Sequence, residues 1–126
     1  MPFSVMVVDD DEQILVLVEI LLRRQGYTVL KAPSPYVALD MLSTTPPDLI
    51  LLDYMMPGMN GVELCAHIRT NLSMTKIPIV MLSAVDTEEF IRISTEAGAN
   101  GQIPKAEMHR RLVQEMHNYL PTAQSK

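Results

Sequence analysis

The chain has 126 residues, of which 48% are apolar and 20% charged, and its formal net charge is −5. That length suits one compact domain with a single core, and that composition excludes a disordered segment. The acidic balance argues against a protein that grips nucleic-acid phosphates, because such affinity rests largely on Lys and Arg.

No run approaches the ~20 apolar residues of a bilayer span, and no basic segment at the N-terminus leads into a cleavable apolar one. The only cysteine, Cys65, sits in the apolar run VELCAHI, where a thiol acts as a small hydrophobe without an internal disulfide partner. These features predict a soluble, cytoplasmic protein with neither membrane insertion nor a direct nucleic-acid partner.

In chain order, short apolar runs alternate with segments of helical period. That alternation predicts an α/β fold with a parallel sheet covered by helices on both faces. Phe3 to Val8 reads as the first strand. Ile14, Val18, Leu21 and Leu22 recur at helical spacing after it, until Gly26 stops the helix.

Tyr27 to Leu30 reads as a short second strand, and Ser34 with Pro35 as the cap and first residue of a helix running to about Ser43. Pro46 and Pro47 break the chain before Leu49 to Leu52, a continuously apolar strand of the kind buried on both faces, with Asp53 at its end. After the turn at residues 57–61, a third helix carries Val62, Cys65, Ile68 and Leu72 on one side.

Pro78 opens a fourth strand, Ile79 to Leu82. Asp86 with Glu89 resembles a capping box for a helix that Gly98 ends. Gly101 to Ile103 is the weakest strand, with Gln102 where a branched or aromatic residue would pair better. Met108, Leu112, Met116 and Leu120 mark a final helix with Pro121 beyond it, so the core spans about residues 3–120 and a short polar tail covers 121–126.

In an open parallel sheet the carboxyl ends of all strands point to one edge, where ligands bind. The first strand ends in Asp9, Asp10 and Asp11, the third in Asp53, the fourth in Ser83 and the fifth in Pro104 and Lys105. Crowded carboxylates repel one another, and Asp oxygens without nearby His or Cys favour a hard cation, with magnesium the best fit. Lys105 adds fixed positive charge, so the edge suits a phosphoryl group. Asp11 reads separately as a helix cap.

Four segments, VVDDDE at Val7 to Glu12, LLDYMMPGMNG at Leu51 to Gly61, MLSA at Met81 to Ala84 and GANGQIPK at Gly98 to Lys105, resemble the receiver domains of two-component response regulators, above all the single-domain chemotaxis type. The resemblance covers nearly the whole chain. It implies a flavodoxin-like (βα)5 fold with strand order 2-1-3-4-5. It also implies that Asp53 accepts a phosphoryl group from a sensor histidine kinase or phosphotransfer protein, forming an acyl phosphate.

By the same resemblance Asp10, Asp53 and the Met55 carbonyl hold Mg2+ directly, Asp9 acts through a bound water, Lys105 pairs with phosphoryl oxygens, and Ser83 swings inward to hydrogen-bond them. Partner binding then changes at the face of the fourth helix, fifth strand and fifth helix, toward an unknown protein target, and enzymology is limited to self-phosphorylation and dephosphorylation.

The chain departs from the family at two places. Gln102 stands where a switching Tyr or Phe is common, and Ala106 follows Lys105 where a proline, often cis, is usual. A trans linkage is expected, because a cis bond before a non-proline residue costs ~2.5–4 kcal/mol. Two other readings compete: a magnesium-dependent phosphohydrolase, against which Met55 stands where such enzymes carry a second Asp, and an unphosphorylated binding module on the same scaffold.

Overall fold

The computed structural model describes residues 2–120. Five strands alternate with five helices: β1 (Ser4–Val8), α1 (Glu12–Arg23), β2 (Thr28–Ala32), α2 (Pro35–Leu42), β3 (Leu49–Asp53), α3 (Gly61–Thr70), β4 (Ile79–Ser83), α4 (Glu88–Glu96), β5 (Gly101–Pro104) and α5 (Met108–Tyr119). A single 3-10 turn, Lys105–Glu107, leads into α5. Every strand pair is parallel and the order is β2-β1-β3-β4-β5, the flavodoxin-like arrangement.

The period of two along each strand divides the core into two layers. Val5, Val7, Leu49, Leu51, Val80, Leu82 and Ile103 face α1 and α5, meeting Leu15, Val18, Leu22, Leu112 and Met116. The alternate residues Met6, Val8, Ile50, Leu52, Ile79 and Met81 face the other helices, meeting Ala38, Leu42, Leu64, Cys65, Ile68 and Phe90. All positions of β3 and β4 are buried, as central strands with helices on both sides require. Burial also pushes the Cys65 thiol pKa up to about 11, against a smaller lowering by Arg69.

Helix ends follow local chemistry. Asp11 Oδ1 accepts a hydrogen bond from Gln13 N at 2.9 Å, and Ser34 Oγ accepts from Val37 N at 3.1 Å, with Pro35 in the first turn. Gly26 and Gly98 take positive φ after α1 and α4, as expected of the residues that stop them. Among the described residues no peptide bond is cis, so Lys105 to Ala106 is trans, and no helix is long and apolar enough to cross a membrane.

Besides one-residue shifts at an end of β1, β3, β4 and β5, three boundaries differ from the sequence expectation. β2 is Thr28–Ala32, because its register with β1 runs from Ser4 opposite Thr28 to Val8 opposite Ala32. Tyr27 precedes it, with a buried ring and a hydroxyl donating to Leu120 O at 2.8 Å. The cap of α4 is Thr87, whose hydroxyl accepts from Phe90 N at 3.2 Å, rather than Asp86; the helix begins one residue later than the Asp86 and Glu89 spacing suggests. On α3, Leu64 is fully buried while Val62 is half-buried, and Leu72 lies beyond the helix end. Pro121 and the polar tail lie outside the described residues.

Candidate functional site

Register explains which side chains meet. Val8 pairs with Leu52, so Asp9 leaves β1 level with Asp53. Asp53 pairs with Leu82, so Ser83 lies one residue further on β4; Ser83 pairs with Pro104, so Lys105 lies one further again. By strand alternation Asp53 continues the α1/α5 side of β3, whereas Ser83 continues the opposite side of β4. The lysine's long stem reaches back across that stagger.

The ammonium of Lys105 lies 2.9 Å from Asp53 Oδ1 and 3.0 Å from Asp9 Oδ2. Asp9 is fully buried and Asp53 almost so. Asp9 Oδ1 accepts from Asp11 N at 2.8 Å and so shapes the turn between β1 and α1. Asp9 Oδ2, although beside the ammonium, has no donor aligned with it. Asp10 is exposed at the pocket mouth, and the carboxylates of Asp9, Asp10 and Asp53 can each offer an oxygen within 4.8 Å of the others.

Burial pushes the Asp53 carboxyl up to about 6 from an ordinary 3.8; the Lys105 hydrogen bond opposes this, the charge of Asp9 adds to it, and the Met55 backbone N–H lowers it. Burial also opposes the charge on Lys105, but Asp53 and Asp9 outweigh it and hold the ammonium above its usual pKa. Three carboxylates against one ammonium leave the pocket short of positive charge. The all-oxygen donor set and the unaligned, wholly buried Asp9 oxygen fit a hard divalent cation such as Mg2+.

Ser83 is buried at the same edge, yet its hydroxyl is turned to the α4 side, where it accepts from Val85 N at 2.8 Å. Met55 follows two residues after Asp53 with its side chain largely in solvent, so its contribution to the pocket is its backbone.

Several supporting residues escaped the sequence reading. Gly61 opens α3 directly against the end of β3: its N–H donates to Tyr54 O at 2.8 Å, and a Cβ there would collide with the Asp53 carbonyl oxygen and come within 2.7 Å of Met81 Cε. Asn60 and Glu63 form a reciprocal capping box, at 2.8 and 2.9 Å, whose Asn-x-x-Glu spacing was legible. Arg69 gave no such signal. Its guanidinium donates to the carbonyls of Met74, Ile77 and Gly98 and to Asn100 Oδ1, tying the loop before β4 to the loop before β5 near the opposite edge of the sheet.

Fold and site together define a doubly wound α/β domain with a cluster of three carboxylates and one lysine at the carboxyl edge of its sheet. The family model for the response regulator receiver domain matches residues 5–117, and the chain belongs to that family.

Among solved structures, the chemotaxis protein CheY4 of Vibrio cholerae is 28% identical with a TM-score of 0.89, the match covering 95% of this chain and 100% of that one. A putative response regulator from Chloroflexus aurantiacus is 32% identical with a TM-score of 0.88, covering 95% and 98%. The BeF3-activated N-terminal receiver domain of Klebsiella pneumoniae RstA is 29% identical with a TM-score of 0.85, covering 94% and 98%.

Proposed function

We propose that residues 1–126 form one phosphorylation-switched receiver, in which Asp53 takes a phosphoryl group from a phosphohistidine on a sensor kinase or phosphotransfer protein. The observation that carries this reading is the Lys105 ammonium bridging Asp9 and Asp53 at 3.0 and 2.9 Å, within an acidic cluster at a strand edge. One Asp53 oxygen forms a bond to phosphorus as the donor's phosphorus–nitrogen bond breaks, and the electron pair leaves on the imidazole nitrogen.

Asp10, Asp53 and the Met55 carbonyl would hold Mg2+, with Asp9 acting through a water; the bound ion supplies charge neutralisation to the phosphoryl oxygens. Lys105 would turn from carboxylate to phosphoryl oxygens, and Ser83 would leave Val85 N to donate to them. The switched surface would be α4, β5 and α5, read by another protein. The chemistry is limited to gain and loss of the chain's own phosphate, in a cytoplasmic setting.

A docking place for the donor is suggested beside the pocket. Val16, Leu17 and Ile20 of α1 are exposed, and a cleft running past Val16 and Glu12 reaches Asp10. An apolar helix face next to the acidic pocket suits a helical partner presenting its phosphohistidine. The test is incubation with acetyl phosphate and Mg2+ followed by intact mass. Wild type should gain one phosphate and Asp53→Asn none; no gain by wild type, or equal gain by the variant, would refute the proposal.

A further inference from the structure

Helix α4 is the most weakly seated of the helices: it buries fully only Phe90 and Ser94, where α1, α2 and α5 bury three residues each and α3 four. Its two attachments lead to different strands of the acidic pocket. Phe90 lies against Tyr54, ring centroids 4.8 Å apart, and Tyr54 directly follows Asp53. Ser94 is tied to β5, the strand that runs into Lys105.

That second attachment is polar. A buried hydroxyl in an apolar interface is costly unless it is hydrogen-bonded. Ser94 Oγ donates to Ile91 O at 3.1 Å and accepts from the Gln102 side-chain amide at 3.0 Å, and the same amide reaches Thr95 Oγ1 at 3.4 Å. An apolar contact lets a helix slide by an ångström at little cost, whereas a hydrogen bond weakens steeply once its distance and angle are lost.

We infer that the Gln102 to Ser94 hydrogen bond is a latch holding α4 on β5, and that releasing it is part of the switch driven from Asp53. The inference rests on the reading of Asp53 as phosphoacceptor. Ser83 Oγ is held by Val85 N, at the start of the segment leading into α4. Drawing Ser83 toward a phosphoryl group frees that segment, and α4 can follow only when Gln102 lets go of Ser94. A groove of about 320 Å³ lined by Ile91, Gln102, Pro104 and Arg111 lies beside the amide, giving it room to turn into solvent.

The consequence is thermodynamic: a bond present only in the latched arrangement opposes any ligand that favours the released one. Beryllofluoride, a phosphoryl mimic, is titrated by calorimetry at saturating Mg2+ into wild type, Gln102→Leu and Ser94→Ala. Loss of the Gln102 to Ser94 bond, the one that both variants remove, should at the net worth of a neutral hydrogen bond tighten beryllofluoride binding roughly two- to tenfold in each, leave Mg2+ affinity unchanged, and speed amide exchange in α4 before any ligand is added.

A merely structural bond would lower thermal stability without improving affinity. Equal or weaker binding by Gln102→Leu, whose side chain is only half-buried so that folding is preserved, overturns the latch even where Ser94→Ala does not fold. Failure of wild type to bind beryllofluoride overturns both the latch and the phosphoacceptor reading; normal wild-type binding with unchanged variants overturns the latch alone.

Discussion

Lys105 Nζ lies 2.9 Å from Asp53 Oδ1, although the two residues leave strands separated by β4. The contact stabilises the Asp53 carboxylate, but less than burial and the neighbouring Asp9 destabilise it, and the net result is a carboxyl pushed up to about 6.

The pH dependence follows in sign. The folded protein holds a proton on Asp53 more tightly than the unfolded chain, whose Asp titrates near the ordinary 3.8. This group's stabilising contribution is therefore fully present below about pH 4 and is lost as pH rises through about 6. Without metal, Asp53→Asn should raise the thermal midpoint at pH 8 and make little difference at pH 4. Mg2+ should raise the wild-type midpoint more at pH 8 than at pH 5. Differential scanning calorimetry at these pH values checks both, and a larger Mg2+ effect at pH 5 would contradict the assignment.

Gly61 is the residue on which the placement of Asp53 depends most directly. A methyl group there meets the Asp53 carbonyl, which belongs to the backbone and cannot swing away. Gly61→Ala should cost about 1–3 kcal/mol of stability and slow phosphate gain from acetyl phosphate by moving the end of β3. Urea unfolding and a mass-spectrometric time course read the two effects separately. A variant as stable and as fast as wild type would show that α3 shifts freely.

Arg69 should matter for stability and not for chemistry. Replacement by Met keeps much of the stem but strips donors from the carbonyls of Met74, Ile77 and Gly98. A loss of about 3–4 kcal/mol in urea unfolding is expected, at roughly 1 kcal/mol for each of these acceptors and Asn100 Oδ1 left without its donor. Mg2+ affinity should be unaffected, because these contacts lie toward the amino ends of β4 and β5.

The legible parts of the fold were those written locally. Ser34 with Pro35 announced α2, Gly26 and Gly98 announced helix ends, and the unbroken run Leu49 to Leu52 announced a central strand. Where signals compete locally, boundaries slipped. Asp86 and Thr87 are both good caps, and the backbone hydrogen bond from Ile91 N to Thr87 O accompanies the later start. Tyr27 has strand character, but its ring is used to close the end of α5.

The sequence by itself determined that acidic residues and a lysine would end separate strands, because strand and helix periodicity depends only on neighbours along the chain. It also placed Asp9, Asp10, Asp53, Ser83 and Lys105 at one edge. Only the tertiary structure decided that Asp9 and Asp53 stand level and share Lys105, that Ser83 turns toward α4, and that Gln102 is bonded to Ser94. Those contacts depend on strand register and on how each helix seats against the sheet, so no local pattern encodes them.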